Sequence, residues 1–250
     1  MKVTLIDFTG KGSPNEEWAA ANLLLFTKQT RLELNPNLMR DIADWPEAKK
    51  REELAYMADT IPSSWEFVTY TFLVQDVSRA YTHQQVRTRA ASYAQQSMRV
   101  VDQGNFDYIF TPRNLASTEA MNSLRICLSM IQATYRELLA LGQPVEDARG
   151  ILPTNIATNI ICKFNMRTLV EMIRSRSGGR TQQEYQAVVN AMATAVLDAH
   201  PWMSLFLFRD HDRDYFADIE KFAEEQFGGD LKAKGKLLKI VDKMRKGGAS

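Results

Sequence analysis

Arg87-Thr88-Arg89 is followed, after seven residues, by Ser97, and Arg99 lies two positions further on. Three arginines and a run of hydroxyl and amide side chains, among them Gln84, Ser92, Gln95 and Gln96, stand here with almost no acid to neutralise them. Arginine presents a fixed fork of donors matched to phosphate. Serine and glutamine add neutral hydrogen bonds suited to a base edge or a phosphate oxygen. Side chains of these types at this spacing would hold an anionic nucleotide.

Nucleophilic and metal chemistry find less support. Ser97 has no general base beside it in the segment, and an unactivated hydroxyl is a poor nucleophile. His83 and His200 stand singly and read as surface or structural residues, and Cys127 and Cys162 lie in apolar stretches that suit a core. The two cysteines imply neither a disulfide framework nor a zinc site. Gly10-Lys11-Gly12-Ser13 lacks the spacing of a phosphate loop and the third glycine of a dinucleotide fingerprint, so a turn is expected there.

The elements that must carry these residues show in the hydrophobic pattern. Residues 2–7 alternate as a strand. Ser13, Pro14 and Glu16 make a capping box for a helix through Trp18, Leu24 and Phe26. Residues 35–63 are broken by Pro36, Pro46 and Pro62, with a short helical piece over 52–57. The β-branched and aromatic run 67–74 predicts a strand. A helix from about Val77 would align Arg79, His83 and Arg87 on one face. The clearest helix is 119–141, with Met121, Leu124, Leu128, Ile131, Tyr135 and Leu138 on one side and Gly142 and Pro144 as its stop. Residues 156–164 predict a buried strand, Asn165 caps a helix to about Arg174, and 182–199 form another helix ended by Pro201. The lysine-rich end reads as a frayed tail. The expected fold is therefore one α+β domain, residues 1–228, with an antiparallel sheet packed against helices, followed by a basic tail, 229–250.

At 250 residues, 45% hydrophobic and 24% charged, the chain has the make-up of a globular protein with a sizeable core. Its net charge of +1 provides no overall pull towards nucleic acid or membrane. No leader and no apolar run of spanning length is evident, so a cytoplasmic location is expected.

The Arg87-Thr88-Arg89 segment with Ser97 and Arg99 resembles the signature of the flavin-dependent thymidylate synthases, Arg-His-Arg, seven residues, Ser, then x-Arg-Tyr. Other blocks resemble the same family in the same order: Ser63-Ser64-Trp65-Glu66 before a strand, Ser78-Arg79-Ala80 with His83-Gln84, Ala148-Arg149-Gly150-Ile151-Leu152-Pro153, Asn165-Met166-Arg167-Thr168-Leu169 with Arg176, and Gln182 with Glu184. The chain departs from the pattern at Thr88, where the family has His, at Val100, where it has Tyr, and near Arg180, where it often has His.

The resemblance implies a homotetramer with active sites shared between subunits. In it, FAD and NADPH would serve the transfer of the methylenetetrahydrofolate carbon to C5 of dUMP. It implies nucleotide contacts for Gln84, Arg87, Gln95, Gln96, Ser97, Arg99, Arg149 and Arg176, and flavin contacts for Ser63, Glu66, Arg87, Thr88, Arg89, Asn165, Arg167 and Leu169. Arg176 is the expected catalytic residue: a fixed cation at the N3/O2 edge would stabilise an ionised uracil. Nine residues separate it from Arg167, about 900° of helix at 100° per residue, so the two would face opposite ways. Two other readings stand beside this one: a related enzyme that makes a hydroxymethyl product or takes dCMP, and a helical nucleic-acid-binding module using the 79–99 arginines and the basic tail.

Overall fold

The computed structural model describes residues 1–29, 35, 37–98, 107–178, 181–208, 215–227 and 229–247. The chain divides into two compact units, Met1–Leu207 and Phe208–Ser250.

The first unit is built on four strands, β1 (Lys2–Phe8), β2 (Thr69–Ser78), β3 (Ala91–Gln95) and β4 (Ala157–Asn165). They are antiparallel in the order β1-β2-β4-β3. Alternation decides which face is covered. Tyr70, Phe72 and Val74 of β2 and Ile160, Cys162 and Phe164 of β4 are buried, while Ile161 and Lys163 on the other face are exposed. Cys162 lies between Phe72 and Tyr93 in register, and burial pushes its thiol up to about 12. That strand and the buried Cys162 agree with expectation. β2 instead runs from 69 to 78, because Pro62–Phe67 forms a 3-10 helix that leaves Phe67 exposed. β3 was not foreseen, since only Ala91, Tyr93 and Gln95 of its five residues turn inward.

A bulge between Val74 and Val77 breaks the β2–β4 register. Asp76 sits there with φ at 55°, a left-handed conformation in which Asp is among the few tolerated residues. The extra residue turns Val77 and Ser78 inward together.

Helices α1 (Glu16–Gln29), α2 (Leu38–Ala43) and α3 (Glu47–Thr60) follow β1. α1 begins later than expected: the Asn15 carbonyl accepts its first bonds, Ser13 Oγ donates to Gly10 O, and Glu16 reaches back to the Gly12 N–H at 2.8 Å. Residues 10–13 form the expected turn, with Gly10 at φ +91°. The helix foreseen over 52–57 extends through the whole of α3. Its charged stretch hid the periodicity, because Lys50 is itself buried and donates to the Ala43 carbonyl at 2.8 Å.

α4 (Arg79–Gln85) leaves β2 directly; α5 (Pro112–Leu115), α6 (Thr118–Ala140) and α7 (Val145–Ala148) lie between β3 and β4. α6 ends in the hydrogen-bond pattern of a Schellman motif, Gln143 N–H to Leu138 O and Gly142 N–H to Leu139 O, with Gly142 at φ +83°. Its buried residues, Met121, Leu128 and Tyr135, recur every seventh position. Cys127 lies about 100° around the helix from Leu128 and is exposed, which corrects the expectation that it is core.

α8 (Met166–Arg176), capped by Asn165 through the Thr168 N–H at 2.8 Å, α9 (Gln183–Ala199) and α10 (Ser204–Leu207) complete the first unit. The second unit contains α11 (Tyr215–Phe227) and α12 (Leu231–Gly247), which pack on each other. The lysine-rich segment expected to fray is thus helical over most of its length.

His200 closes α9 from inside the core. Its Nδ1 lies 2.8 Å from the Tyr70 hydroxyl, its ring stacks on Trp202 and meets the edge of Phe8, and burial pushes its pKa from 6.5 down to about 4. The folded protein therefore holds it neutral where the unfolded chain would protonate it. Stability should be full above pH 6.5 and fall as pH drops from 6.5 to about 4, by about 3 kcal/mol at most. Urea unfolding across this range should show a smaller pH dependence in His200→Gln than in the unmodified protein. At Gly10 a Cβ would stand 2.5 Å from that of Ala19. Gly10→Ala should cost roughly 1–3 kcal/mol, read from its urea midpoint.

Candidate functional site

The arginine segment lies in the turn that follows α4. The helix stops at Gln85, after which Arg87 N–H donates to Gln84 O and Thr88 N–H to Gln85 O. Arg87 therefore does not share a helical face with Arg79 and His83, contrary to expectation: the chain tightens one residue too early. The Tyr93 hydroxyl, 2.8 Å from the Thr88 carbonyl and 2.9 Å from that of Gln85, ties this turn to β3. Burial pushes its phenol up to about 12. Arg87 and Arg89 are left exposed and Thr88 half-buried.

The far end of β3 is held by amides. Asn159 of β4 receives the Asp76 N–H on Oδ1 at 3.1 Å and donates from Nδ2 to Gln96 Oε1 at 2.8 Å. The Gln96 N–H returns to the Asn159 carbonyl at 2.9 Å, and Gln96 O accepts from Arg79 Nη2 at 2.9 Å. The strained bulge, the central strand, the Gln96-Ser97 turn and the first residue of α4 thus form one network. Asn159 was missed in the sequence; the only signal was an amide between the apolar residues of a strand.

Gln95 points the other way, donating to Thr82 Oγ1 at 2.9 Å and Thr158 Oγ1 at 3.3 Å. Gln84 donates to Gln182 Oε1 on the approach to α9. Ser97 is exposed, and Arg99 and Val100 lie outside the described residues, as does Arg180.

Two cations stand close to one another beside this network. Burial lowers the pKa of Arg79, and the neighbouring Arg149 charge lowers it further. Arg79 Nε is buried with no hydrogen-bond partner among the described residues, and Arg149 Nε donates to the Glu146 carbonyl at 3.2 Å. Two guanidiniums brought together favour an anion between them. The N-terminus of α4 is fixed from behind, where Glu184 of α9 accepts from Ser78 N–H at 2.7 Å and Ser78 Oγ at 2.5 Å.

α8 carries the remaining residues on opposite faces, as the nine-residue spacing requires. At its start, Arg167 reaches Glu66 of the 3-10 helix at 3.0 Å and Glu171 at 3.1 Å. The Glu171 bond, then the Glu66 bond, raises its pKa. Ser63 lies exposed on the same 3-10 segment, Asn165 serves the cap, and Leu169 is fully buried in the core.

At the other end, Arg176 is exposed, with its guanidinium over the Tyr185 ring, 5.4 Å from the centroid. Burial raises the Tyr185 pKa, opposed by Thr88 and then Arg176, both close to its hydroxyl. That hydroxyl nevertheless has no partner in hydrogen-bond geometry among the described residues. The fold thus forms three separate groupings: Thr88 and Arg176 at Tyr185, Arg79 with Gln96 and Arg149, and Glu66 with Arg167.

A cleft of about 640 Å³ opens between α5 and α9, lined by Thr111, Pro112, Arg113, Gln182, Gln183 and Gln186. Its lining does not include Arg87, Arg89 or Arg176. Gln182 on its wall is the acceptor for Gln84 of α4.

Residues 4–202, nearly the whole of the first unit, match the family model described as thymidylate synthase complementing protein. The flavin-dependent thymidylate synthase of Nitratidesulfovibrio vulgaris is 34% identical over 169 residues, covering 60% of this chain and 69% of its own. That of Clostridium tetani is 32% identical over 219 residues, 80% of this chain and 84% of its own. That of Pyrococcus furiosus is 31% identical over 192 residues, 75% of each. With a match of that extent, the chain belongs to the thymidylate synthase complementing protein family.

Proposed function

We propose that the chain is a flavin-dependent thymidylate synthase that methylates dUMP at C5, with methylenetetrahydrofolate as carbon donor and NADPH as reductant. The observation that carries this reading is the family match over residues 4–202, with relatives that are flavin-dependent thymidylate synthases, and the geometry adds an exposed Arg176 seated over the Tyr185 ring beside the arginine-bearing unit.

The residues fit an anionic dinucleotide cofactor: Arg87 and Arg89 are exposed, and the buried Arg79 Nε lacks a partner among the described residues. Arg87, Thr88, Arg89, Asn165, Arg167, Leu169, Ser63 and Glu66 would hold FAD, which when bound supplies the hydride. In this reading Leu169 acts by setting the rotation of α8, and Asn165 by fixing its first turn. Gln84, Gln95, Gln96, Ser97, Arg99 and Arg149, with Arg87, would hold dUMP. The two cations Arg79 and Arg149 favour its phosphate end. Arg176 donates to the uracil N3/O2 edge and stabilises the negative charge that makes C5 nucleophilic; a guanidinium does this by its field and not as a base.

The solvent-facing Arg87, Arg89 and Arg176 support a homotetramer in which neighbouring subunits complete each site. A cytoplasmic location suits such an enzyme, and no helix among the described residues is long and apolar enough to cross a membrane.

Purified protein should be yellow, or become so on titration with FAD, and should convert dUMP to dTMP in the presence of the folate and NADPH. Product mass distinguishes a methyl from a hydroxymethyl group, and substitution of dCMP for dUMP tests the base; a colourless protein that refuses FAD and binds DNA in a salt-dependent way would refute the reading. Arg176→Ala should lower kcat by about 100-fold or more at saturating dUMP. Asn159→Ala, which unties Asp76 from Gln96, should raise KM for dUMP by about five- to tenfold with kcat little changed.

A further inference from the structure

We propose that Tyr185 is a positioning residue for Arg176, its ring a platform beneath the guanidinium and its hydroxyl the acceptor that fixes the guanidinium's rotation. This rests on the functional reading above and adds to it a residue outside the arginine signature.

Tyr185 is fully buried in the first turn of α9, yet its hydroxyl has no partner among the described residues. Leaving a buried hydroxyl unsatisfied costs free energy, so packing alone would favour phenylalanine there. The hydroxyl lies near two donors, the Thr88 side chain and Arg176, neither in hydrogen-bond geometry. Arg176 is otherwise exposed at the last residue of a helix, where a long side chain has many rotamers. Among the described residues its ring contact is the Tyr185 face, with the cation 5.4 Å from the centroid, inside the range of cation–π attraction.

The ring itself is immobilised. Tyr81 meets it edge-on at 5.3 Å, and Tyr81 donates to Gln85 Oε1 at 3.0 Å. Gln85 in turn donates to Met172 Sδ of α8 at 3.2 Å. The platform is therefore braced by the helix that precedes the arginine turn and by the helix that carries Arg176. A small turn on the Arg176 side chain would bring one N–H to the Tyr185 oxygen and leave the others for a base edge. Thr88 bears on the same oxygen, so the departure from the family's histidine lies next to the residue that orients the proposed catalytic cation.

The test is a double-mutant cycle on the full chain using Tyr185→Phe, Tyr185→Leu and Arg176→Ala. Tyr185→Phe removes an unsatisfied hydroxyl, so its urea midpoint should be unchanged or higher, while kcat at saturating dUMP falls by about threefold to tenfold. Tyr185→Leu should lose more. In the Arg176→Ala background neither change should lower kcat further, and FAD affinity should stay constant throughout. Full additivity in kcat, or a Tyr185→Phe protein with unaltered turnover, would overturn the proposal. The same cycle measured by urea unfolding of ligand-free protein should show coupling between Tyr185→Leu and Arg176→Ala. Its absence would overturn the contact even if the unmodified enzyme were active. An unmodified protein without turnover would instead strike at the functional reading and leave the contact to the unfolding cycle.

Discussion

The register of β4 is the constraint on which the rest depends. This strand pairs with β2 on one side and β3 on the other, so one alternation must serve both ladders. With Ile160, Cys162 and Phe164 inward, Asn159 falls on the outer face where it can bind both Asp76 and Gln96. Six residues on, Asn165 ends the strand and caps α8. A slip of one residue would send the apolar set to the exposed face and Asn159 into the core, and would move the cap. The strand's own burial therefore enforces the geometry of residues with no apolar role. The bulge at Asp76 belongs to the same constraint: its left-handed backbone costs energy, and the Asn159 amide that accepts its N–H also draws the Gln96 turn to the sheet.

The charge pattern is local and not global. A net charge of +1 conceals two kinds of arginine. Arg167 is neutralised by Glu66 and Glu171, and such an exposed pair contributes little to stability. Arg79, itself partly buried, instead meets the like charge of Arg149. The fold tolerates that repulsion at the start of α4, where Ser78 and its two hydrogen bonds to Glu184 keep the backbone in place. A bound anion would relieve the repulsion, so ligand affinity and local destabilisation are two aspects of one arrangement.

Sequence made the site's composition legible more fully than its arrangement. Arginines matter by type, so their chemistry showed before any fold was known. Strands β1 and β4, helix α6 and the Asn165 cap were clear because burial writes a period into the residues. β3 was hidden because five residues with a glutamine and a serine carry too little alternation. The end of α4 was hidden because Arg87 continues a helical spacing that the backbone abandons. Cys127 shows the opposite error: an apolar neighbourhood on a helix includes residues that face solvent, and one position of offset is enough. Asn159 and Tyr185 escaped notice because each gains its meaning from contacts distant in sequence, the first through Gln96 and the second through Thr88 and Arg176.

α8 connects two arginines to the core. Eleven residues long, it places Arg167 and Arg176 half a turn apart in azimuth and about two and a half turns apart along its axis. Its rotation is set between them by Leu169, Val170, Met172 and Ile173, all buried. Any rotation that improved one arginine's contact would therefore displace the other and expose core. The helix acts as a rigid spacer between a neutralised cation against Glu66 and an open cation over Tyr185. Two ligands that must react with each other need such a spacer, because their separation has to be held more closely than surface side chains could hold it unaided. The apolar stripe of α8, which bears no chemistry, is thus what gives the polar ends a fixed relation.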